Sequence, residues 1–332
     1  MMRARGKFAL GYGAATALAL LASNVAFWPA AAARDNRSSG AASAAAVSPA
    51  PYATQAPIVM LKDMESGAIL FSRGADKRFA PASMAKVMTA YVVLDLLKTR
   101  ELRRDTTFTV SDAVWRKWNS STGGSTMFLS PGEKLSVDDL LKGLITVSAN
   151  DAAAVLAEGI DGSEEAFVRR MNKVAADIGM ASSHFGTPNG WPDGGVTKVS
   201  AADLITLADR LIRDHPDGYA RYFSIPKLQH GVAPDGRPIV QPNRNPILDR
   251  VDGADGLKTG HTREAGYCFL GSAERDGRRL IMVVAGLPSA NARREEAQRL
   301  MDWGFAAAAH RMAAETRRGS ASTSVAAGAT HR

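Results

Sequence analysis

Three short stretches hold residues whose types and spacing could do chemistry. In "PASMAKVMTA", Ser83 stands three residues ahead of Lys86 at the start of a run that reads as helix. Side chains three apart share a helix face, so the hydroxyl and the amine can meet. An alcohol is a weak nucleophile and needs a base beside it. A free lysine, with a pKa of about 10.4, is protonated at neutral pH and must be depressed by roughly three units, about 4 kcal/mol, to serve as that base. Burial and a second cation both push that way. Against this stands a plain helix cap, and composition alone supplies about one S-x-x-K in a chain of this length.

Ser148-Ala149-Asn150 is the second stretch, and Lys258-Thr259-Gly260 the third. Serine, asparagine and the following Asp151 all favour helix starts, so the second also reads as a cap. The third lies just before an apolar strand, where glycine lets a ligand approach the backbone, or it is a turn with a solvated lysine. If the sheet that carries Lys258 faces the helix that carries Lys86, Lys258 brings the second charge. Two lysines converging on one serine cost stability and make sense for catalysis.

Taken in this order, with 65 residues from Ser83 to Ser148 and 110 from Ser148 to Lys258, the set resembles the serine penicillin-recognising enzymes, whose motifs are S-x-x-K, S-x-N and K-T-G. "APASMAK", "STMFLSPGEKLSVDDLLKGLITVSANDAA", "DGLKTGHTREAGY" and "RREEAQRLMDWGF" are similar to low-molecular-mass penicillin-binding proteins of the D-alanyl-D-alanine carboxypeptidase family, over about residues 55–305. The resemblance implies a β-lactamase/transpeptidase-like α/β (α+β) fold and no cofactor. It implies attack by Ser83 on a peptidoglycan stem peptide ending in D-Ala-D-Ala, with Lys86 as base and β-lactam antibiotics as acylating inhibitors. Ser148 would relay the proton, and Asn150 would orient Lys86 and the substrate. Backbone N–H groups of Ser83 and His261 would form the oxyanion hole. Lys258, Thr259 and Gly260, with Arg293 and Arg244, would meet the terminal carboxylate, although surface solvation reads equally well for both arginines. His184 reads as a packed loop residue.

Two rivals stay open. No glutamate lies between Glu165 and Glu264, where one class of serine β-lactamase keeps the residue that activates its deacylating water. A non-catalytic peptidoglycan-binding module would keep the cleft without turnover.

The elements that must position these residues are legible in outline. "PIVMLKDMESGAILFSR" reads as a β-hairpin. Val87, Ala90, Tyr91, Leu94 and Leu97 set a helical period over residues 82–98. Amphipathic helices follow, interrupted near Ser148, and another begins at Ser200 over 201–213. "GYCFLGSAE" and "RRLIMVVAGL" are strands joined by an Asp-Gly turn, and a closing helix comes after them. Terminal strands can thus pair into one antiparallel sheet flanked by helices, with a helical subdomain inserted between them.

Residues 1–33 read as a signal peptide, with Arg3, Arg5 and Lys7 ahead of an apolar stretch and Ala31-Ala32-Ala33 as a cleavage site; the alternative is a retained anchor. Residues 34–53 read as a flexible linker, 54–305 as the catalytic domain and 306–332 as a disordered tail too short for a second domain. Export to the periplasm or medium is the expectation, with weak membrane-surface association at most. Cys268 is the lone cysteine, within an apolar run, and six histidines show no metal-ligand spacing. The formal charge is +8, but no stretch joins dense basic residues to aromatics, which argues against nucleic acid.

Overall fold

The computed structural model describes residues 50–119 and 124–328; the leader and nearly all of the linker lie outside them. β1 (Ile58–Asp63) and β2 (Ile69–Arg73) form the first hairpin. A 3-10 turn, Ala82–Ala85, leads into α1 (Lys86–Thr99). β3 (Thr107–Thr109), α2 (Asp112–Trp118), β4 (Lys134–Ser136), α3 (Val137–Thr146), α4 (Asn150–Asp161) and α5 (Glu164–Asp177) make the helical half. α6 (Ala201–Asp214), α7 (Pro216–Tyr222) and a small hairpin of β5 (Lys227–Val232) and β6 (Pro238–Pro242) return the chain to the sheet. β7 (Ala254–Thr262), β8 (Gly266–Arg275) and β9 (Arg278–Leu287) complete it before α8 (Ala290–Gly328).

Serine chemistry starts four of these helices. Ser111, Ser136, Ser163 and Ser200 each accept a hydrogen bond from the backbone N–H three residues on, satisfying a donor that the helix cannot. The Asp276-Gly277 turn between β8 and β9 has both residues at positive φ, the conformation that matches the twist of a two-residue hairpin.

The five strands run β2-β1-β9-β8-β7, antiparallel throughout, which leaves β7 as an edge. Alternate residues of β9 face two different cores. Leu280, Met282 and Val284 pack with Leu300 and Met301 of α8, whereas Ile281, Val283 and Ala285 join the core that holds α1, α6 and the helical half. Gly304 lets α8 settle on the sheet, since a Cβ there would lie 2.5 Å from Leu61 Cδ2.

Three features differ from the sequence reading. Lys258-Thr259-Gly260 lies inside β7 rather than ahead of a strand. Residues 306–328, read as disordered, continue α8, because alanine is the strongest helix former. Tyr52, assigned to the linker, is held: its hydroxyl donates to Glu296 Oε1 at 3.0 Å and its ring packs against Phe71 and Trp303.

Phe167 of α5 is wholly buried in the helical half. Phe167→Ala should destabilise the protein by about 3–5 kcal/mol, read as a fall in the urea midpoint.

Candidate active site

Ser83 sits in the 3-10 turn and Lys86 is the first residue of α1. The Lys86 side chain is 0% exposed. Its Nζ lies 3.0 Å from Ser83 Oγ, 2.7 Å from Asn150 Oδ1 and 2.8 Å from the Asn189 carbonyl. The last two groups can only accept. A neutral amine donates one proton to each and keeps its lone pair for the Ser83 hydroxyl. The three contacts therefore suit the unprotonated amine, the form in which lysine is a base.

Electrostatics favour the same form. Burial drives Lys86 well below its ordinary pKa, the Arg244 guanidinium adds to this, and Asp151 opposes it. The sequence reading expected Lys258 to be the depressing cation. Arg244 is the leading charge on Lys86, because its loop folds over the cleft: its backbone N–H donates to Thr146 O and its side chain to Ser125 Oγ. Lys258, 2% exposed, is itself pushed far down by burial, then by Lys86, Arg244 and Arg293. Four basic side chains thus converge at and beneath one cleft.

Two glycines bring backbone hard against the turn that holds Ser83. A Cβ on Gly260 would lie 2.5 Å from the Pro81 carbonyl oxygen, so β7 abuts the turn that holds Ser83. Gly190, at φ +71°, has its would-be Cβ in collision with the Ala82 carbonyl. The close approach that glycine permits at 260 is thus first to the protein's own main chain.

Ser148 lies between α3 and α4 at φ +65°, a conformation an L-residue holds at a cost of order 1–3 kcal/mol. It is not a cap: Ala149 occupies that place with no side-chain bond. Asp151, the other capping candidate, turns its buried carboxylate to a loop instead. It accepts from the N–H groups of Met127 at 3.0 Å, Leu129 at 3.3 Å and Ala152 at 2.9 Å. That loop carries Ser125, whose carbonyl accepts from Asn150 N at 2.7 Å.

Ser83, Ser148, Asn150, Thr259, Gly260 and His261 line one cleft of about 860 Å³, with Arg244, Arg293 and Trp191 on its walls. Lys86 and Lys258 lie buried beneath it. The His261 ring stacks on Tyr267 at 3.9 Å, and the Arg293 guanidinium lies 5.7 Å from the Tyr267 ring, with its buried Nε unpartnered. His184 stands apart, its backbone paired with Lys198. Cys268 is buried, its thiol pushed up to about 11 by desolvation. Among the described residues no cluster of acids, histidines or cysteine could hold a metal ion.

Sequence reasoning passed over Asn189, Asp151 and Trp191. Asn189-Gly190 is a turn dipeptide, and Asp151 adjoins the second motif, but nothing local shows that either converges on Lys86.

A family model described as D-alanyl-D-alanine carboxypeptidase matches residues 43–289. DacA of Haemophilus influenzae is 37% identical over 262 residues, 77% of this chain and 63% of that protein, so the chain spans less than two thirds of that relative. The crystal structure of penicillin binding protein 5 from Haemophilus influenzae superposes with a TM-score of 0.71 at 38% identity, covering 77% of this chain and 72% of that one. Penicillin-Binding Protein D2 from Listeria monocytogenes, in its ampicillin-bound form, gives 0.64 at 32% identity over 77% and 99%. With three motifs gathered around one buried amine, and a family match over most of its length, the chain belongs to the D-alanyl-D-alanine carboxypeptidase family.

Proposed function

We propose that this protein is a serine-type carboxypeptidase that removes the terminal D-alanine from peptidoglycan stem peptides. The observation that carries the reading is the Lys86 amine, held 3.0 Å from Ser83 Oγ with its other two contacts to pure acceptors. In this reading Ser83 Oγ attacks the carbonyl between the two D-alanines while Lys86 takes its proton. Backbone N–H groups of Ser83 and His261 hold the oxyanion, each such donor being worth about 3–4 kcal/mol in the transition state. Ser148 passes a proton to the departing amine. Lys258, Thr259, Arg244 and Arg293 offer the cations and hydroxyl that a terminal carboxylate needs. Water then cleaves the acyl-enzyme.

The similarity to a penicillin-binding protein seen with ampicillin supports acylation of Ser83 by β-lactams as well. Slow release of the drug fits a chain with no glutamate between positions 165 and 264. A substrate in the cell wall fits residues 1–33 acting as an export signal. Among the described residues no helix is long and apolar enough to cross a membrane.

Incubation with benzylpenicillin should add one drug mass to the intact protein, mapping to the peptide that holds Ser83, and Ser83→Ala should abolish both the adduct and D-alanine release. An adduct elsewhere, or D-alanine release unchanged in Ser83→Ala, would overturn the assignment. Adduct formation without D-alanine release would favour the non-catalytic binding module.

Acylation requires neutral Lys86, so its rate should rise with pH through a midpoint well below the usual lysine range. Arg244→Gln removes a charge that disfavours protonated Lys86. The midpoint should therefore move to higher pH, whereas Arg244→Lys should hold it nearer the wild-type value. The check is the penicillin acylation rate measured against pH for the three proteins.

A further inference from the structure

Arg244 stands between two asparagines in residues 242–246, which lead from the end of β6 toward β7. Pro242 and Pro246 bracket the segment. A proline fixes its own φ and holds the residue before it extended, so Asn245 keeps little backbone freedom.

Each asparagine closes a local turn with its side-chain oxygen. Asn243 Oδ1 accepts from the Asn245 N–H at 2.8 Å, and Asn245 Oδ1 from the Ile247 N–H at 3.1 Å. Aspartate or serine would close such turns as well. The amide nitrogens do something those residues could not, since aspartate has no donor and serine lacks the reach. Asn243 Nδ2 donates to the Ile225 carbonyl at 2.7 Å, and buried Asn245 Nδ2 donates to the Gly256 carbonyl at 3.0 Å. The first bond closes the base of the β5–β6 hairpin, where Asn243 N also donates to the Pro226 carbonyl at 2.8 Å. The second fastens the segment to β7, two residues before Lys258.

Arg244, between them, bonds to the helical half. Its N–H donates to Thr146 O at the end of α3, two residues before Ser148, and its guanidinium bonds Ser125 Oγ. The N–H bond, at 3.3 Å, is longer than any that the asparagines make. An arginine side chain also gives up much rotamer freedom when held in one geometry. Its place over the cleft therefore depends on a backbone already fixed on either side.

We propose that Asn243 and Asn245 are positioning residues for the reaction: their amide groups clasp the β5–β6 hairpin to β7 and so hold Arg244 over the cleft. The inference rests on Lys86 serving as base in the carboxypeptidase reading. The charges acting on Lys86 are Arg244 and Asp151, while Lys258 feels Lys86, Arg244 and Arg293. Loss of the clasp removes Arg244 from that set and leaves the others, which favours the protonated form of Lys86.

The rate of penicillin acylation against pH tests this in Asn245→Ser, which keeps an acceptor for the turn and loses the reach to Gly256. Its midpoint should move to higher pH by most of the shift that Arg244→Gln produces. The double variant Arg244→Gln/Asn245→Ser should match Arg244→Gln alone, because the asparagine acts through the arginine. Asn243→Ser, at a half-buried position, should move the midpoint the same way and gives the reading if Asn245→Ser fails to fold. An unchanged midpoint in either folded variant, or a double variant in which the two shifts add, would overturn the clasp and leave the role of Lys86 standing. No wild-type adduct at any pH would overturn that role and the clasp with it.

Discussion

Everything near the cleft is arranged around the cost of keeping one amine out of water. A lysine with no exposed surface loses the hydration that stabilises its cation, and here no carboxylate touches it in return. Asp151, the acid whose charge acts on it, spends its hydrogen-bonding capacity on backbone N–H groups of the 127–129 loop and Ala152. The desolvation of Lys86 is thus met by no ion pair, which favours the neutral amine. A structural lysine would have been given a salt bridge, and surface lysines of this chain have them, as Lys142 does with Asp138.

That choice constrains the surroundings. The amine must be approached by acceptors fixed in place, so Asn150 opens α4 and the Asn189 carbonyl arrives on a loop pinned by Gly190. Burial must be maintained from several sides, so β7, the 187–191 loop and the 3-10 turn are packed to main-chain contact. Both features use glycine where any side chain would force the walls apart. The same crowding leaves Ser148 in a left-handed conformation between two helices, a cost that the packing on either side sustains.

Much of this was legible from sequence because the motifs are short and local. Ser83 and Lys86 need only helical spacing to meet, and the hairpin at Asp276-Gly277 and the caps at Ser111, Ser136, Ser163 and Ser200 are written in a few adjacent residues. What depends on contacts across the chain was not legible. Arg244 acts on Lys86 from a loop more than a hundred residues away, and an arginine between asparagines has no local mark of that role. Asp151 looked like a helix cap because its neighbours in sequence favour one, and tertiary packing gave its carboxylate to another loop. Residues 306–328 were misread for a different reason: alanine-rich composition resembles low complexity, yet it is also what a helix most readily adopts.

The chain enters the described domain on the outer face of the sheet. Tyr52 and Thr54 grip the buried Glu296, and the Trp303 indole N–H holds the Ala50 carbonyl. Arg293, the part of α8 that reaches the cleft, is ten residues from Trp303, about 15 Å along a helix. Residues 50–54 are thus moored to α8 on the sheet face away from α1, about three helical turns from the residue that lines the cleft.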